Sequence, residues 1–191
     1  MMATNEIKAA KHDVSDVLMN GSDENSSQYL TFILGGEEYG VDILRVQEIK
    51  GWEITTPIPN TMEFIKGVIN LRGAVVPIID LRQRFELENF VYNESTVVIV
   101  VKVKKTVVDE GDERIVGIVV DAVSDVYTLA GNEMKPPPDF GSIISIDFVR
   151  GLATVDEKMV IILDIDQLIN IGVMGTDSEA NTENSDEEES E

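Results

Sequence analysis

The chain has 191 residues and a formal net charge of −21, with 36 acidic residues, 15 basic residues and no cysteine. The length suits one domain with a sizeable core. The negative charge disfavours binding to nucleic acid or to an anionic membrane surface, and the lack of cysteine excludes disulfides, thiolate metal sites and a cysteine nucleophile.

Both ends of the chain are predicted to lie outside the folded domain. Residues 1–27 are polar and lack a secretory signal, so we expect a flexible leader, although a few apolar residues fall near helical spacing. Residues 173–191 are expected to form a disordered acidic tail, because Thr176–Glu191 carries eight acidic residues and no basic one. The domain is therefore predicted to span residues 28–172. No apolar run is long enough for a membrane span, which favours a soluble cytoplasmic protein.

The domain is predicted to be rich in short strands separated by turns. Gly35-Gly36, Arg72-Gly73 and Asp156-Glu157 each separate two apolar runs and are expected to form two-residue hairpin turns. The proline-rich stretch 55–60 cannot be a central strand, because proline donates no ladder hydrogen bond, and a short helical turn is expected to open at its last residue, Asn60. The predicted strands are Tyr29–Leu34, Glu38–Ile43, Gly67–Leu71, Ala74–Leu81, Ser95–Val103, Arg114–Val120, Val126–Leu129 and the two arms of a hairpin within residues 148–165, and a short helix is expected over Ile165–Ile171.

One segment of the sequence occurs twice. Residues 64–81 read FIKGVINLRGAVVPIIDL, and they align without a gap with residues 148–165, FVRGLATVDEKMVIILDI. Both faces of each hairpin are apolar, whereas half-exposed antiparallel strands alternate with polar residues. Each hairpin should therefore lie between two cores, or between one core and a partner. The duplication predicts an all-β fold of two similar lobes packed tightly together.

No group of residues in the sequence indicates catalysis. The only histidine, His12, lies in the leader, which rules out a Ser-His-Asp triad and a histidine-rich metal site. Asp80 and Asp164 recur at the same place in the repeat and would be the acid/base pair of a hydrolase if one existed. We favour the alternative, in which each residue ends a strand and caps the next turn or pairs with an arginine such as Arg82. No cofactor is expected, and the chain is predicted to work by binding.

The sequence from Glu37 to Phe85 closely resembles the family of bacterial chemotaxis coupling proteins, CheW. It reads EEYGVDILRVQEIKGWEITTPIPNTMEFIKGVINLRGAVVPIIDLRQRF, and the resemblance continues through VVIVVKV, GIVVDAVSDVYTL and KPPPDF to the second hairpin. The resemblance implies two intertwined SH3-like five-stranded β-barrel lobes that share a hydrophobic core, with short helical segments. This fold agrees with the duplication and with the doubly apolar hairpins.

The resemblance also implies a function. Proteins of this family join the cytoplasmic tips of chemoreceptors to the regulatory domain of the histidine kinase CheA and catalyse nothing. We therefore expect a non-enzymatic adaptor in two-component signalling, which approaches the membrane only through receptors. The alternatives are the same kind of domain in a non-motility receptor and kinase pathway and, from a different class, an acidic β-barrel hydrolase that uses Asp80 and Asp164.

The family pattern places receptor and signalling contacts at seven positions, which here are Val46, Glu48, Gly67, Arg72, Gly73, Thr96 and Val97. Arg72 would offer a fork of donors to a helical receptor, and Gly67 and Gly73 would let a partner approach closely. The alternative for Glu48 and Arg72 is an internal ion pair. The turn differs in the second copy, where Asp156-Glu157 replaces Arg72-Gly73, so we expect the receptor at the first. For the kinase we expect exposed apolar residues on the second lobe, at Val123, Val126 and Leu129, and around the first-lobe hairpins.

Overall fold

The computed structural model describes residues 26–104, 113–138 and 147–173. Most of the predicted leader and nearly all of the predicted acidic tail lie outside these residues. Strands dominate the described part, which confirms the prediction of an all-β fold. The elements are β1 Ser26–Leu34, β2 Glu37–Asp42, a short 3-10 helix Ile43–Arg45, β3 Val46–Gly51, β4 Ile65–Leu71, β5 Ala74–Asp80, α1 Leu81–Arg84, β6 Val97–Lys104, β7 Glu113–Val120, β8 Ala122–Ala130, β9 Val149–Val155, β10 Lys158–Leu163 and α2 Ile165–Val173.

The three hairpin turns lie where the sequence predicted them. Gly35-Gly36 joins β1 to β2, Arg72-Gly73 joins β4 to β5, and Asp156-Glu157 joins β9 to β10. Both residues of each turn have a positive φ, as the favoured two-residue hairpin turns require. The prediction of a helical turn from Asn60 is wrong: Asn60 has a φ of 60°, and no helix forms over residues 59–64, where residues 59–60 and 63–64 are turns. A helix N-cap needs an extended backbone, which Asn60 does not adopt.

The strands form two five-stranded sheets that exchange strands between the halves of the chain. The order is β8-β1-β2-β10-β9 in the first sheet and β3-β6-β7-β5-β4 in the second. If five is added to each strand number, and the count continues from β10 to β1, the first order becomes the second. The sheets are therefore two copies of one arrangement. Each takes two strands from one half of the chain and three from the other, so neither half forms a sheet alone.

Three buried clusters match this arrangement. One is built from the second sheet alone, by Ile69, Val76, Ile78, Val98, Val100 and Val119; another from the first sheet alone, by Tyr29, Leu129, Ala153, Val160 and Ile162. The largest, here called the shared core, draws on both sheets and on α2. On β5, Ile78 belongs to the second-sheet cluster and Ile79 to the shared core. The base of this hairpin therefore lies between two cores, as predicted.

The tips of the hairpins are covered on one face only. Val75 is 70% exposed and Met159, its equivalent in the repeat, is 59% exposed. On β5 only Ile78–Asp80 pair with β7, so the residues nearer the turn extend beyond the neighbouring strand. Among the described residues no second core covers the tips, whose other face remains available to a partner, which is the second of the two predicted arrangements.

The two edges of each sheet are brought together by a residue that follows an edge strand. Thr56, after β3, exchanges two hydrogen bonds of 2.9 Å with Val68 of β4. Lys135, after β8, exchanges two hydrogen bonds of 2.8 Å with Leu152 of β9. Each sheet therefore curves until its edges meet, and the closure at Thr56 places the β4–β5 turn beside β3.

Candidate partner-binding site

Glu48 and Arg72 form an ion pair where the edges of the second sheet meet. Glu48 lies on β3, Arg72 lies in the β4–β5 turn, and Nη2 of Arg72 is 2.8 Å from Oε2 of Glu48. The side chain of Arg72 is 84% exposed and that of Glu48 is 23% exposed. The internal pair considered as the alternative is thus present. Because one nitrogen of the fork engages Glu48, the other donors of Arg72 face solvent and remain open to a partner.

The turn that carries Arg72 is held by its own residues. The N–H of Gly73 donates to Oδ1 of Asn70 at 2.9 Å, and Gly73 has a φ of 92°. A Cβ at Gly73 would meet no atom within 4 Å. The turn tip is therefore fixed in shape and sterically open, as close approach by a partner requires.

Gly67 differs from Gly73 because its surroundings are filled. It has a φ of 123°, and a Cβ built on it would lie 2.7 Å from the carbonyl carbon of Thr56 and 2.9 Å from Cα of Pro57. The backbone that approaches Gly67 is thus the proline-rich segment of the same chain. The space beside Gly67, which was expected to admit a partner, is therefore filled by the protein's own backbone.

Three of the predicted contact residues lie partly or wholly inside the second sheet. Thr96 is 1% exposed, and its Oγ1 accepts the N–H of Asn93 at 3.1 Å. Val46 and Val97 are half-buried and pack against the shared core. Of the seven predicted residues, the structure brings Glu48, Arg72 and Gly73 together at one exposed tip. The others support the strands that carry it.

The two residues of the equivalent turn in the first sheet carry no cation, and the first cation after them is Lys158 at the start of β10. The strand equivalent to β3 is β8, and Asp156 takes the place of Arg72 in the turn. Burial raises the pKa of the Tyr127 phenol on β8, and the carboxylates of Glu38, Asp156 and Asp125 raise it further. Negative charge therefore gathers at this tip. The two turns therefore differ in charge: the β4–β5 turn carries the Glu48–Arg72 ion pair, whereas the β9–β10 turn lies in an acidic patch.

The three residues predicted to contact the kinase lie on β8 and face inward. Val123 and Val126 pack against the shared core, and Leu129 belongs to the first-sheet cluster. Along β8 the exposed residues are polar: Ser124, Asp125 and Thr128. The prediction of an exposed apolar face on β8 is therefore corrected: a strand that packs one face on a core buries its apolar side chains there.

A buried charge cluster surrounds Asp80 at the junction of β5 and α1. Arg82 donates from Nε to Oδ1 of Asp80 at 2.9 Å and from Nη2 to Oδ2 at 2.8 Å, and neither side chain has any exposure. Asp80 also caps α1 by accepting the N–H of Arg82, and it accepts the hydroxyl of Tyr92 at 2.7 Å. Arg82 reaches Asp121 through Nη1 at 3.2 Å. The favoured structural interpretation of Asp80 is therefore confirmed.

Aromatic rings enclose the same cluster. The guanidinium of Arg82 lies 4.6 Å from the ring centre of Phe90 and 4.5 Å from that of Tyr92. Burial, followed by the hydrogen bond to Asp80, raises the pKa of the Tyr92 phenol far above its ordinary value. Tyr92 therefore stays a donor at neutral pH. Both oxygens of Asp80 accept hydrogen bonds from the protein itself, which suits a structural role.

Asp164, the repeat partner of Asp80, also has a structural role. Its Oδ1 accepts the N–H of Gln167 at 3.0 Å, at the start of α2. Asp80 belongs to the end of a second-sheet strand, whereas Asp164 follows a strand of the first sheet. Among the described residues, no group of acidic or histidine side chains is placed to hold a metal ion. No helix in that part of the chain is long and apolar enough to cross a membrane.

The fold and this site define a class of protein. The domain is a duplicated pair of interlocked β-sheets, and its candidate residues form an exposed tip and not an enclosed pocket. Such a surface suits a scaffold that holds other proteins. Comparison with known proteins gives the family.

The family model of the CheW-like domain matches residues 28–172. The chemotaxis protein CheW of Klebsiella aerogenes is 47% identical over 143 residues, which cover 75% of this chain and 81% of that protein. CheW of Rhizobium meliloti is 36% identical over 160 residues, covering 84% and 92%. The crystal structure of the scaffolding protein TtCheW from Thermoanaerobacter tengcongensis is similar with a TM-score of 0.66 at 36% identity, covering 76% of this chain and 94% of that one. This chain belongs to the CheW-like family and is a coupling adaptor of chemotaxis signalling.

Proposed function

We propose that this chain is a non-enzymatic cytoplasmic adaptor that joins the cytoplasmic tips of chemoreceptors to the regulatory domain of the histidine kinase CheA. The observation that carries the proposal is the exposed Glu48–Arg72 pair at an open turn, in a domain of the CheW-like family. An adaptor of this kind transmits a signal as a coupling free energy between two binding surfaces. It needs two exposed surfaces on a rigid frame.

The first surface is the β4–β5 tip, which we assign to the receptor. Glu48 restrains the guanidinium of Arg72 from one side, so that less conformational entropy is lost when a partner binds. The free donors of Arg72 suit carboxylates or carbonyl oxygens on a receptor helix. Gly73 leaves room for that helix beside the turn.

The second surface is apolar, and the exposed side chains of the hairpin tips support this role, whereas the apolar side chains of β8 face inward. Val75 and Met159 occupy equivalent positions of the repeat, and both project from the face that no core covers. Exposed apolar side chains that adjoin polar ones are typical of protein–protein contacts. We assign the uncovered faces that carry Val75 and Met159, as distinct from the turn that carries Arg72, to the kinase regulatory domain or to neighbouring adaptors in an array.

Replacing Arg72 by glutamate is expected to weaken receptor binding by about tenfold or more, since about 1.4 kcal/mol corresponds to each factor of ten. The free energy of unfolding should change by less than about 1 kcal/mol, because Arg72 is largely exposed. Calorimetric titration with a receptor cytoplasmic fragment measures the first quantity, and urea denaturation measures the second. Lys158→Glu is the matched control, since it makes the same charge change beside the turn of the other hairpin.

A charge exchange separates the two roles of the pair. The double variant Glu48→Arg/Arg72→Glu restores an internal ion pair with the charges reversed. If Arg72 contacts the receptor directly, the double variant binds as poorly as the single one. Restored binding would show that the internal pair matters and the direct contact does not. A steep loss of stability in Arg72→Glu would likewise count against the receptor contact.

A further inference from the structure

A groove of about 470 Å³ opens on the first sheet, between the start of β1 and the end of β8. The half-buried Met134 lines it above the nearly buried Tyr29 and Leu129, and the exposed Lys135 and Arg150 add two positive charges. The groove lies on the first sheet, whereas the Glu48–Arg72 pair lies on the second. The groove is therefore separate from the site that we assign to the receptor.

The two cations of the groove have no carboxylate partner among the described residues. Every ion pair in that part of the chain uses another lysine or arginine. The carboxylate of Glu133, in the same loop, instead accepts the N–H of Ala130 at 2.7 Å. Acidic residues outnumber basic ones 36 to 15 in this protein. Two cations beside one groove that pair with no carboxylate of the described residues are thus a local exception in a protein whose net charge is strongly negative.

The chain itself carries a segment of complementary charge. Thr176–Glu191 contains eight carboxylates and no basic residue, which leaves a net charge of −13 on the rest of the chain. Repulsion from that remainder disfavours most of the surface as a resting place for the segment. At the Lys135–Arg150 groove, two cations without a carboxylate partner in the described part of the chain can attract the segment instead.

The chain is long enough to bring this segment to the groove. Helix α2 ends at Val173, and 18 residues follow it. Fully extended, they span up to about 60 Å. A compact domain of this size has a radius of gyration of only about 15 Å. The acidic residues can therefore reach any face of the domain.

We propose that the acidic segment Thr176–Glu191 docks in the groove of its own chain, with its carboxylates on Lys135 and Arg150. The contact is an exposed one between side chains in water, so it is weak and sensitive to salt. Docking covers the half-buried Met134 and reduces the negative field that the segment presents to partners.

The lack of cysteine allows a single spin label to test this proposal on the full chain. A nitroxide is attached to Ser185→Cys, and the backbone amide signals of Gly131, Lys135 and Arg150 are followed by nitrogen-15 NMR. At an ionic strength of about 0.01 M, where the Debye length is about 30 Å, these signals should lose most of their intensity. At about 1 M, where it is about 3 Å, they should recover.

Charge-reversal variants provide the matched comparison. Lys135→Glu/Arg150→Glu should abolish the broadening, whereas Lys104→Glu/Lys158→Glu, which reverses two cations outside the groove, should keep it. The proposal is overturned if the groove signals keep full intensity at low salt, or if both double variants behave alike.

Two further outcomes would name a different occupant and also overturn the proposal. Broadening of the groove signals by a label on Ser15→Cys, and not by the one on Ser185→Cys, would assign the groove to the leader. Broadening in a mixture of labelled nitrogen-14 chains with unlabelled nitrogen-15 chains, as strong as within one chain, would assign it to a second copy.

Discussion

Gly67→Ala is expected to lower the free energy of unfolding by about 3 kcal/mol. The added methyl group would collide with the carbonyl of Thr56, which accepts the N–H of Val68 at 2.9 Å. Relief of the collision opens the bridge that joins the two edges of the second sheet. The φ of 123° adds strain, since side chains other than glycine rarely adopt it. Urea denaturation measures the loss.

Gly73→Ala is the control for this prediction. Gly73 also has a positive φ, but its surroundings are open, so the cost should be about 1 kcal/mol. Equal losses in the two variants would show that backbone conformation, and not the approach of Thr56, makes Gly67 necessary. A Gly67→Ala protein with normal stability and poor receptor binding would instead make Gly67 a partner contact.

Asp80→Asn is expected to cost about 3–5 kcal/mol of stability, because it removes one partner of a buried ion pair. Of its two ion pairs Arg82 would keep only the one with the partly exposed Asp121, and its charge would remain buried between two aromatic rings. Thermal and urea unfolding both report the loss.

The matched control is Asp164→Asn, which alters the equivalent carboxylate of the other repeat. Asparagine caps a helix about as well as aspartate, so the cost should stay below about 1 kcal/mol. Similar costs for the two variants would contradict the role given to the Asp80–Arg82 pair. A measured hydrolytic activity that disappears in both variants, without a matching loss of stability, would support the hydrolase alternative.

Local features of the fold were predictable from the sequence because they depend on adjacent residues. Gly35-Gly36 and Arg72-Gly73 lie between apolar runs, and the turns form at those places. The double burial at Ile78 and Ile79 was likewise visible, since consecutive apolar residues on a strand face opposite sides. The repeat itself predicted two equivalent halves.

The exchange of strands between the halves has no such local signal. Ile162 lies opposite Gly40 and Ile78 opposite Gly117, in parallel pairs that join segments distant in the chain. Hydrophobic patterning shows that such a strand is buried but not which strand lies beside it. The exposed tips were not predictable for the same reason. Val75 is apolar like its neighbours, and whether it is covered depends on how far the neighbouring strand β7 extends along β5.

The site was predictable in part for a similar reason. Arg72 and Glu48 were singled out, and their pairing was one of two open interpretations. Tyr92 and Asp121, which complete the cluster around Arg82, were missed, because a linker tyrosine follows no periodic pattern. The dipeptide Val41-Asp42 occurs again as Val120-Asp121 in the other half of the chain. This repeat was a usable signal for Asp121, since both carboxylates accept a backbone N–H: Asp42 that of Leu44 and Asp121 that of Gly35.

The most direct test of the account is reconstitution of the kinase CheA with a chemoreceptor cytoplasmic fragment, with and without this chain, while kinase autophosphorylation is measured. We predict that the receptor alters kinase activity only when the chain is present, and that Arg72→Glu removes most of this effect. Receptor control of the kinase that is equally strong without the chain would contradict the account.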